Sequence, residues 1–137
     1  MISILTKIYR SAIYKVIRYI EVRYTTKWEV QRMDAHIRKV YVPMTETGFY
    51  ILLCLQNEMH GYSIVQKVSE MTNGEIVLSP GTMYGSLSKM EKDGLICFIR
   101  EEEKRKIYHI TELGKEVLQL ELRRIERLYR NAKEGQL

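Results

Sequence analysis

The sequence predicts a mainly α-helical fold with a small β wing: three short helices, a β-hairpin and one long last helix. Three observations predict it. Apolar residues recur at helical spacing in four segments of the chain. Thr45, Ser79 and Thr111, residue types that commonly cap helices, stand before three of these segments. Two β-prone runs, Leu95–Arg100 and Lys106–Ile110, flank a charged turn.

The first two helices are predicted after Thr45 and from Tyr62. The run from Phe49 to Leu55 is apolar all round, which indicates a helix buried on most sides. Met59–Gly61 is expected to be a turn. The inner face of the second helix is predicted to consist of Ile64, Val65, Val68 and Met71. Asn73-Gly74 ends that helix, and Glu75–Leu78 is a short β-prone piece.

The third helix is predicted to begin at Ser79-Pro80-Gly81, because serine caps helices and proline suits the first helical position. Met83, Leu87 and Met90 form its apolar stripe, and Gly94 ends it. The five charged residues Glu101–Arg105 are expected to form the hairpin tip. Thr111 and Glu112 then open the last helix.

This order of elements is that of a helix-turn-helix with a wing, followed by an extra helix. Four motifs stand at matching spacings: His60-Gly61-Tyr62, Ser79 to Tyr84, Met90 to Ile96, and Tyr108 to Gly114. Together they resemble the PadR family of winged-helix transcriptional regulators over about half the chain. The resemblance implies a DNA-binding regulator, commonly a repressor, that dimerises through its last helix.

The outward face of the third helix is predicted to read DNA in the major groove. Its residues are small, polar or basic, as a helix entering that groove requires. The alternative is an ordinary solvated face. Tyr84 is expected to lie between the core and the groove, and the N–H groups near the helix start to hold a phosphate. The expected DNA-binding residues here are Pro80, Gly81, Thr82, Tyr84, Gly85, Ser86 and Lys89.

The wing is predicted to contact the DNA backbone through Lys104, Arg105 and Lys106. The alternative is that these cations pair with the adjacent Glu101, Glu102 and Glu103 and do not contact DNA.

The last helix carries a narrow apolar seam of the kind that pairs with a second helix. A two-fold mate is one partner for this seam, and packing on its own domain is the alternative. The expected dimerisation residues are Leu118, Leu122, Ile125 and Tyr129.

Charge divides the chain at residue 32. The net charge is +5, and residues 1–32 carry seven basic and two acidic side chains, so that the remainder is neutral. With a suitable codon for Glu29, the message for residues 28–30 reads as a ribosome-binding site before Met33. We therefore expect residues 1–32 to be an extension outside the natural protein, which would start at Met33. The alternative is a basic amphipathic helix at residues 2–20 that lies on anionic lipid or follows DNA phosphates.

Residues 33–110 are predicted to be the winged helix-turn-helix domain and residues 111–137 the dimerisation helix.

The expected function is that of a repressor that binds a palindromic operator as a homodimer. We expect neither catalysis nor a cofactor, because no catalytic fingerprint occurs, and no metal site, because Cys54 and Cys97 lack ligand spacing. A cytoplasmic location is expected, without a membrane partner. A small-molecule effector that relieves repression is implied only by the resemblance. The alternative function is a winged-helix protein-interaction module without DNA binding.

Overall fold

The computed structural model describes residues 35–135 and confirms the predicted fold class. The helices are α1 (residues 35–41), α2 (Glu46–Cys54), α3 (Gly61–Met71), α4 (Pro80–Lys92) and α5 (Glu112–Glu134), and the strands are β1 (Met59–His60), β2 (Ile96–Glu102) and β3 (Arg105–Ile110). None of these described helices is long and apolar enough to cross a membrane. The predictions for residues 1–32 and for a start at Met33 lie outside the described residues.

The predicted helix caps are confirmed. The side-chain oxygens of Thr45, Ser79 and Thr111 each accept a hydrogen bond from the backbone N–H three residues later, at 3.1, 3.2 and 3.1 Å. These bonds satisfy N–H groups that have no partner inside the helix. The cap of α3 was not predicted: His60 accepts from the N–H of Ser63 through Nδ1 at 3.3 Å.

The sheet has three antiparallel strands in the order β1-β3-β2. The predicted turn at Met59–Gly61 is wrong, because Met59 pairs with Tyr108 and His60 with Ile107. The predicted β-prone piece Glu75–Leu78 is wrong as well, since it forms no strand and leads directly to the cap of α4. A two-residue strand is too short to show alternation, whereas a β-prone run without a neighbouring strand has no ladder to join.

The hairpin tip is shorter than the predicted Glu101–Arg105. Strand β2 continues through Glu102 and β3 begins at Arg105, which leaves only Glu103 and Lys104 in the turn. Both turn residues have positive φ, 48° and 62°, as a two-residue hairpin turn that follows the twist of the strands requires.

One apolar core joins the helices to the sheet. The predicted stripe of α4 is confirmed, and so is the burial of α2 on most sides. Met71 was predicted to face inward but is 40% exposed, because α3 ends there and Ile64 and Val68 already fill its buried face. The most deeply buried apolar side chains are Ile51, Leu52, Leu55, Ile64, Val68, Met83, Leu87, Leu95 and Ile96.

The end of α4, both ends of the hairpin and the start of α5 meet at one point, which we call the Gly94–Gly114 joint (Gly94, Leu95, Ile110, Thr111 and Gly114). Thr111 donates its hydroxyl to the carbonyl of Gly94 at 2.6 Å and its N–H to the carbonyl of Leu95 at 2.9 Å. A Cβ on Gly114 would lie 2.1 Å from that same Leu95 oxygen. The first turn of α5 therefore rests directly on the backbone that links α4 to the wing.

Replacing Gly114 by alanine should lower the free energy of unfolding by at least about 3 kcal/mol, because the clash is with backbone and cannot be relieved by a side-chain rotation. Gly85→Ala is the matched control: no atom lies within 4 Å of a Cβ there, and Gly85 lies inside α4. The control should raise stability by about 0.5–1 kcal/mol. Urea unfolding of both variants measures the difference. Equal effects on the free energy of unfolding would contradict the direct packing of α5 on the Leu95 backbone.

Candidate nucleic-acid interface

The outward face of α4 is open to solvent. Thr82, Gly85 and Lys89 are exposed. Ser86 is half-buried, because it lies at the edge of this face. Pro80 and Gly81 are exposed at the helix start. Nothing lies within 4 Å of a Cβ placed on Gly81 or Gly85, so the backbone itself is accessible at both positions. This face has the small, polar surface that approach to a groove requires.

Tyr84 projects beside the start of α3. Its side chain is 59% exposed, yet Cε1 lies 3.2 Å from the position of a Cβ on Gly61. Any larger residue at position 61 would push the ring away from α3. The motif His60-Gly61-Tyr62 thus brings the amino-terminal ends of α3 and α4 together.

Lys89 is held in a cluster with Asp93 and Tyr41. Its Nζ lies 3.0 Å from Asp93 Oδ2, 3.3 Å from the Tyr41 hydroxyl and 4.6 Å from the centre of the Tyr41 ring. The Tyr41 hydroxyl in turn donates to Asp93 at 2.6 Å. The cluster connects α1 to the last turn of α4, and the sequence analysis missed Tyr41 and Asp93.

The pKa values of the cluster reflect this mutual support. Burial would raise the pKa of Asp93, but hydrogen bonds from Tyr41 and Lys89 outweigh it and lower that pKa. Burial, followed by the hydrogen bond to Asp93, raises the pKa of Tyr41 to about 12. The hydrogen bonds to Asp93 and Tyr41 raise the pKa of Lys89. All three groups therefore keep their partners at neutral pH, with Lys89 cationic.

The three wing cations Lys104, Arg105 and Lys106 are exposed. Within residues 35–135 none of them lies within 4 Å of a carboxylate. The predicted alternative, pairing with the adjacent glutamates, is thus absent from the described residues. Glu102 instead accepts from Arg100 Nε at 2.6 Å, and Arg100 also bonds to Glu58.

The predicted seam of α5 divides into two parts. Leu118 is 3% exposed and belongs to the core of its own domain, and Leu122 packs partly against that core. Leu118 is therefore unavailable to a partner, contrary to prediction. Beyond Leu122, Ile125 is 39% and Tyr129 63% exposed, and Leu128 between them is exposed as well. An apolar face remains uncovered on the second half of the helix.

Glu121 is a buried carboxylate between these two parts. It accepts two hydrogen bonds from Arg124, at 2.6 and 3.0 Å. The bonds from Arg124 lower its pKa despite burial, and the backbone N–H of Met44 also lowers that pKa. Glu121 thus ties α5 to the segment before α2, and nothing in the seam pattern predicted it. Within the described residues, no three His, Cys, Asp or Glu side chains are grouped as metal ligands.

The chain is similar to known transcriptional regulators. The model of the Transcriptional regulator PadR-like family matches residues 51–120. The chain is 35% identical over 83 residues to Transcriptional regulator Rv3488 of Mycobacterium tuberculosis, covering 58% of this chain and 75% of that protein. It spans less than two thirds of other curated relatives, 64% of one from Lysinibacillus sphaericus and 34% of one from Escherichia coli.

Solved structures of PadR regulators are similar to this chain as well. A PadR family transcription regulator from Clostridium difficile superimposes with a TM-score of 0.59 at 27% identity, covering 66% of this chain and 98% of that one. PadR of Bacillus subtilis in complex with operator DNA gives a TM-score of 0.50 at 26% identity, covering 55% and 45% of the two chains.

Replacing Glu121 by glutamine should lower the free energy of unfolding by about 2 kcal/mol at neutral pH, because charge-assisted hydrogen bonds are lost. Since the folded-state pKa lies below the ordinary 4.5, the carboxylate contributes stability above that pH and loses it as pH falls. The difference from the unaltered protein should therefore shrink as the pH falls below that value. Glu126→Gln, which removes an exposed pair with Arg130, is the control and should cost less than about 0.5 kcal/mol. Urea unfolding at several pH values tests both, and a pH-independent difference would contradict the account.

Proposed function

The chain belongs to the Transcriptional regulator PadR-like family, and we propose that it represses transcription by binding a palindromic DNA operator as a homodimer. One observation carries the proposal: the exposed, polar face of α4 and the wing, whose three cations have no carboxylate partner among the described residues, both lie beside the start of α3. Tyr84 of α4 lies beside Gly61, with Cε1 3.2 Å from the position of a Cβ there, and the guanidinium of Arg105 lies over the ring of the neighbouring Tyr62.

In this proposal the start of α4 enters the major groove. Thr82 and Ser86 approach the base edges, as amino-terminal residues of recognition helices do. The open backbone at Gly81 and Gly85 permits close approach, and Tyr84 lies at the groove edge. Pro80 marks the helix end at which N–H groups can bind a phosphate. Lys89 stands further along α4, where it contacts the DNA backbone by exchanging Asp93 for a phosphate.

The wing supplies the electrostatic part of binding. Lys104, Arg105 and Lys106 have no carboxylate partner among the described residues, so they can neutralise phosphates without first breaking an ion pair. Affinity should accordingly fall with salt, and the three cations set the slope.

Dimerisation is proposed through the second half of α5. Ile125, Leu128 and Tyr129 are exposed on a helix whose first half is already packed on its own domain. A two-fold mate would cover the same face on both copies. It would also set the distance between two recognition helices, which a palindromic operator requires. Leu122 lies between the two halves of α5, so it would contact both the core of its own domain and the partner helix. Relief of repression by a small ligand stays a prediction.

Selection from random double-stranded DNA tests the proposal without knowledge of the operator. The bound fraction should be enriched in one two-fold symmetric motif, and a gel shift should show specific retardation at moderate salt. A protein-interaction module without DNA binding would enrich no motif, and that result would overturn the proposal. Lys115→Gln is the control variant for substitutions that remove a cation from the wing, because Lys115 lies on α5 and is already paired with Glu112.

Replacing Thr82 and Ser86 together by alanine should reduce operator affinity at least tenfold, because discrimination of about 1–3 kcal/mol per contacted base pair is lost. The loss should be much smaller on unrelated DNA, since base contacts, unlike phosphate contacts, depend on sequence. Thermal unfolding should change little, because Thr82 is exposed and Ser86 only half-buried. A variant that keeps both its affinity and its sequence preference would refute this role of α4.

Replacing Ile125 by aspartate should yield monomers, because a charge would be placed in the centre of the proposed apolar seam. Asn131→Asp is the matched control, since it adds the same charge to the same exposed half of α5 on a different face. Light scattering measures the mass of each variant. A dimeric Ile125→Asp protein would place the interface elsewhere, whereas a monomeric control would show that charge alone causes dissociation.

A further inference from the structure

The hairpin register places a carboxylate opposite Arg105, yet the two do not pair. Glu102 faces Arg105 across the hairpin, as Glu101 faces Lys106. Opposite charges at such positions ordinarily attract each other. Here Glu102 accepts a hydrogen bond from Arg100, two residues earlier on its own strand. Arg100 bonds to Glu58 too, and its bond to Glu102 engages the carboxylate that stands opposite Arg105.

Arg105 rests on an aromatic ring instead. Its guanidinium carbon lies 5.9 Å from the centre of the Tyr62 ring, within the range of a cation–π contact. The pairing of His60 with Ile107 brings the first turn of α3 to this part of β3. The Tyr62 side chain is 56% exposed, so the ring contributes little to the core. Its position is explained by neither capping nor burial.

A ring and a carboxylate have opposite consequences for a phosphate-binding arginine. A carboxylate would neutralise the guanidinium and occupy its N–H donors. A ring attracts the cation through its face and leaves the donors, which lie in the guanidinium plane, available to a phosphate. Restraint of the side chain before binding also reduces the conformational entropy that is lost on binding.

We propose that Tyr62 is a positioning residue that holds Arg105 of the wing ready for an operator phosphate, an inference that rests on the proposed DNA-binding function. Tyr62 acts through Arg105 and makes no essential contact of its own with the DNA. The bond from Arg100 to Glu102 belongs to the same device, because it engages the carboxylate that would otherwise compete for Arg105.

A double-mutant cycle on the selected operator tests this role. Tyr62→Leu and Arg105→Gln should each weaken binding about threefold per half-site, or about tenfold for a dimer, as expected for one exposed cation–π contact or one phosphate contact. The double variant should be no weaker than Arg105→Gln alone, because the ring then has nothing to position. Tyr62→Phe should bind as the unaltered protein does, since it keeps the ring. All four should unfold at the same temperature within about 2 °C, because Tyr62 and Arg105 are exposed.

Lys104→Gln is the matched control, because Lys104 is a wing cation in the turn and has no contact with the Tyr62 ring. Combined with Tyr62→Leu, it should give independent, multiplicative losses. Multiplicative losses for the Arg105 pair would overturn the inference, as would a Tyr62→Phe variant as weak as Tyr62→Leu, which would show that the hydroxyl contacts DNA. Failure of the proposed function is distinguishable, since the unaltered protein would then select no operator.

Discussion

The contact between Gly114 and the carbonyl of Leu95 fixes the arrangement of every functional element. The chain passes through this joint twice, once from α4 into the wing and once from the wing into α5. Because Gly114 has no side chain, α5 starts against backbone, and the Thr111 hydroxyl secures it to Gly94. The direction in which α5 leaves the domain is thereby tied to the orientation of α4. A dimer built through α5 would inherit its spacing of recognition helices from this joint.

Ion pairing distinguishes cations of the same residue types: some have carboxylate partners within the fold, and others do not. Arg124 satisfies the buried Glu121, Lys89 shares Asp93 with Tyr41, and Arg100 holds Glu58 and Glu102. Each of these pairs stabilises one place in the fold. Among the described residues none of the three wing cations lies within 4 Å of a carboxylate, so their charges stay available to a ligand although three exposed glutamates stand on the same hairpin. Distribution, and not net charge, decides what such a surface can attract.

Local signals in the sequence predicted most of the fold, because caps, apolar stripes and Gly94 act over a few residues. Tertiary contacts account for what was missed. Strand β1 exists only because β3 lies beside it, and Leu118 joins the core only because α5 packs back over its first half. Asp93 lies four residues after Lys89, a spacing that favours an ion pair, but Tyr41 reaches them from 52 and 48 residues away along the chain. Glu121 had no signal, since a carboxylate beside an apolar seam ordinarily faces water.

A hydroxyl-radical footprint of the protein on its selected operator tests the central claim most directly. We predict two protected segments related by a dyad, with centres separated by one helical turn of about 10 base pairs or a multiple of it. Two α4 helices fixed by one pair of α5 helices would enter successive major grooves on one side of the DNA. Protection of the flanking backbone should mark the two wings. A single protected segment without a symmetric mate, or protection that does not follow the helical repeat, would contradict it.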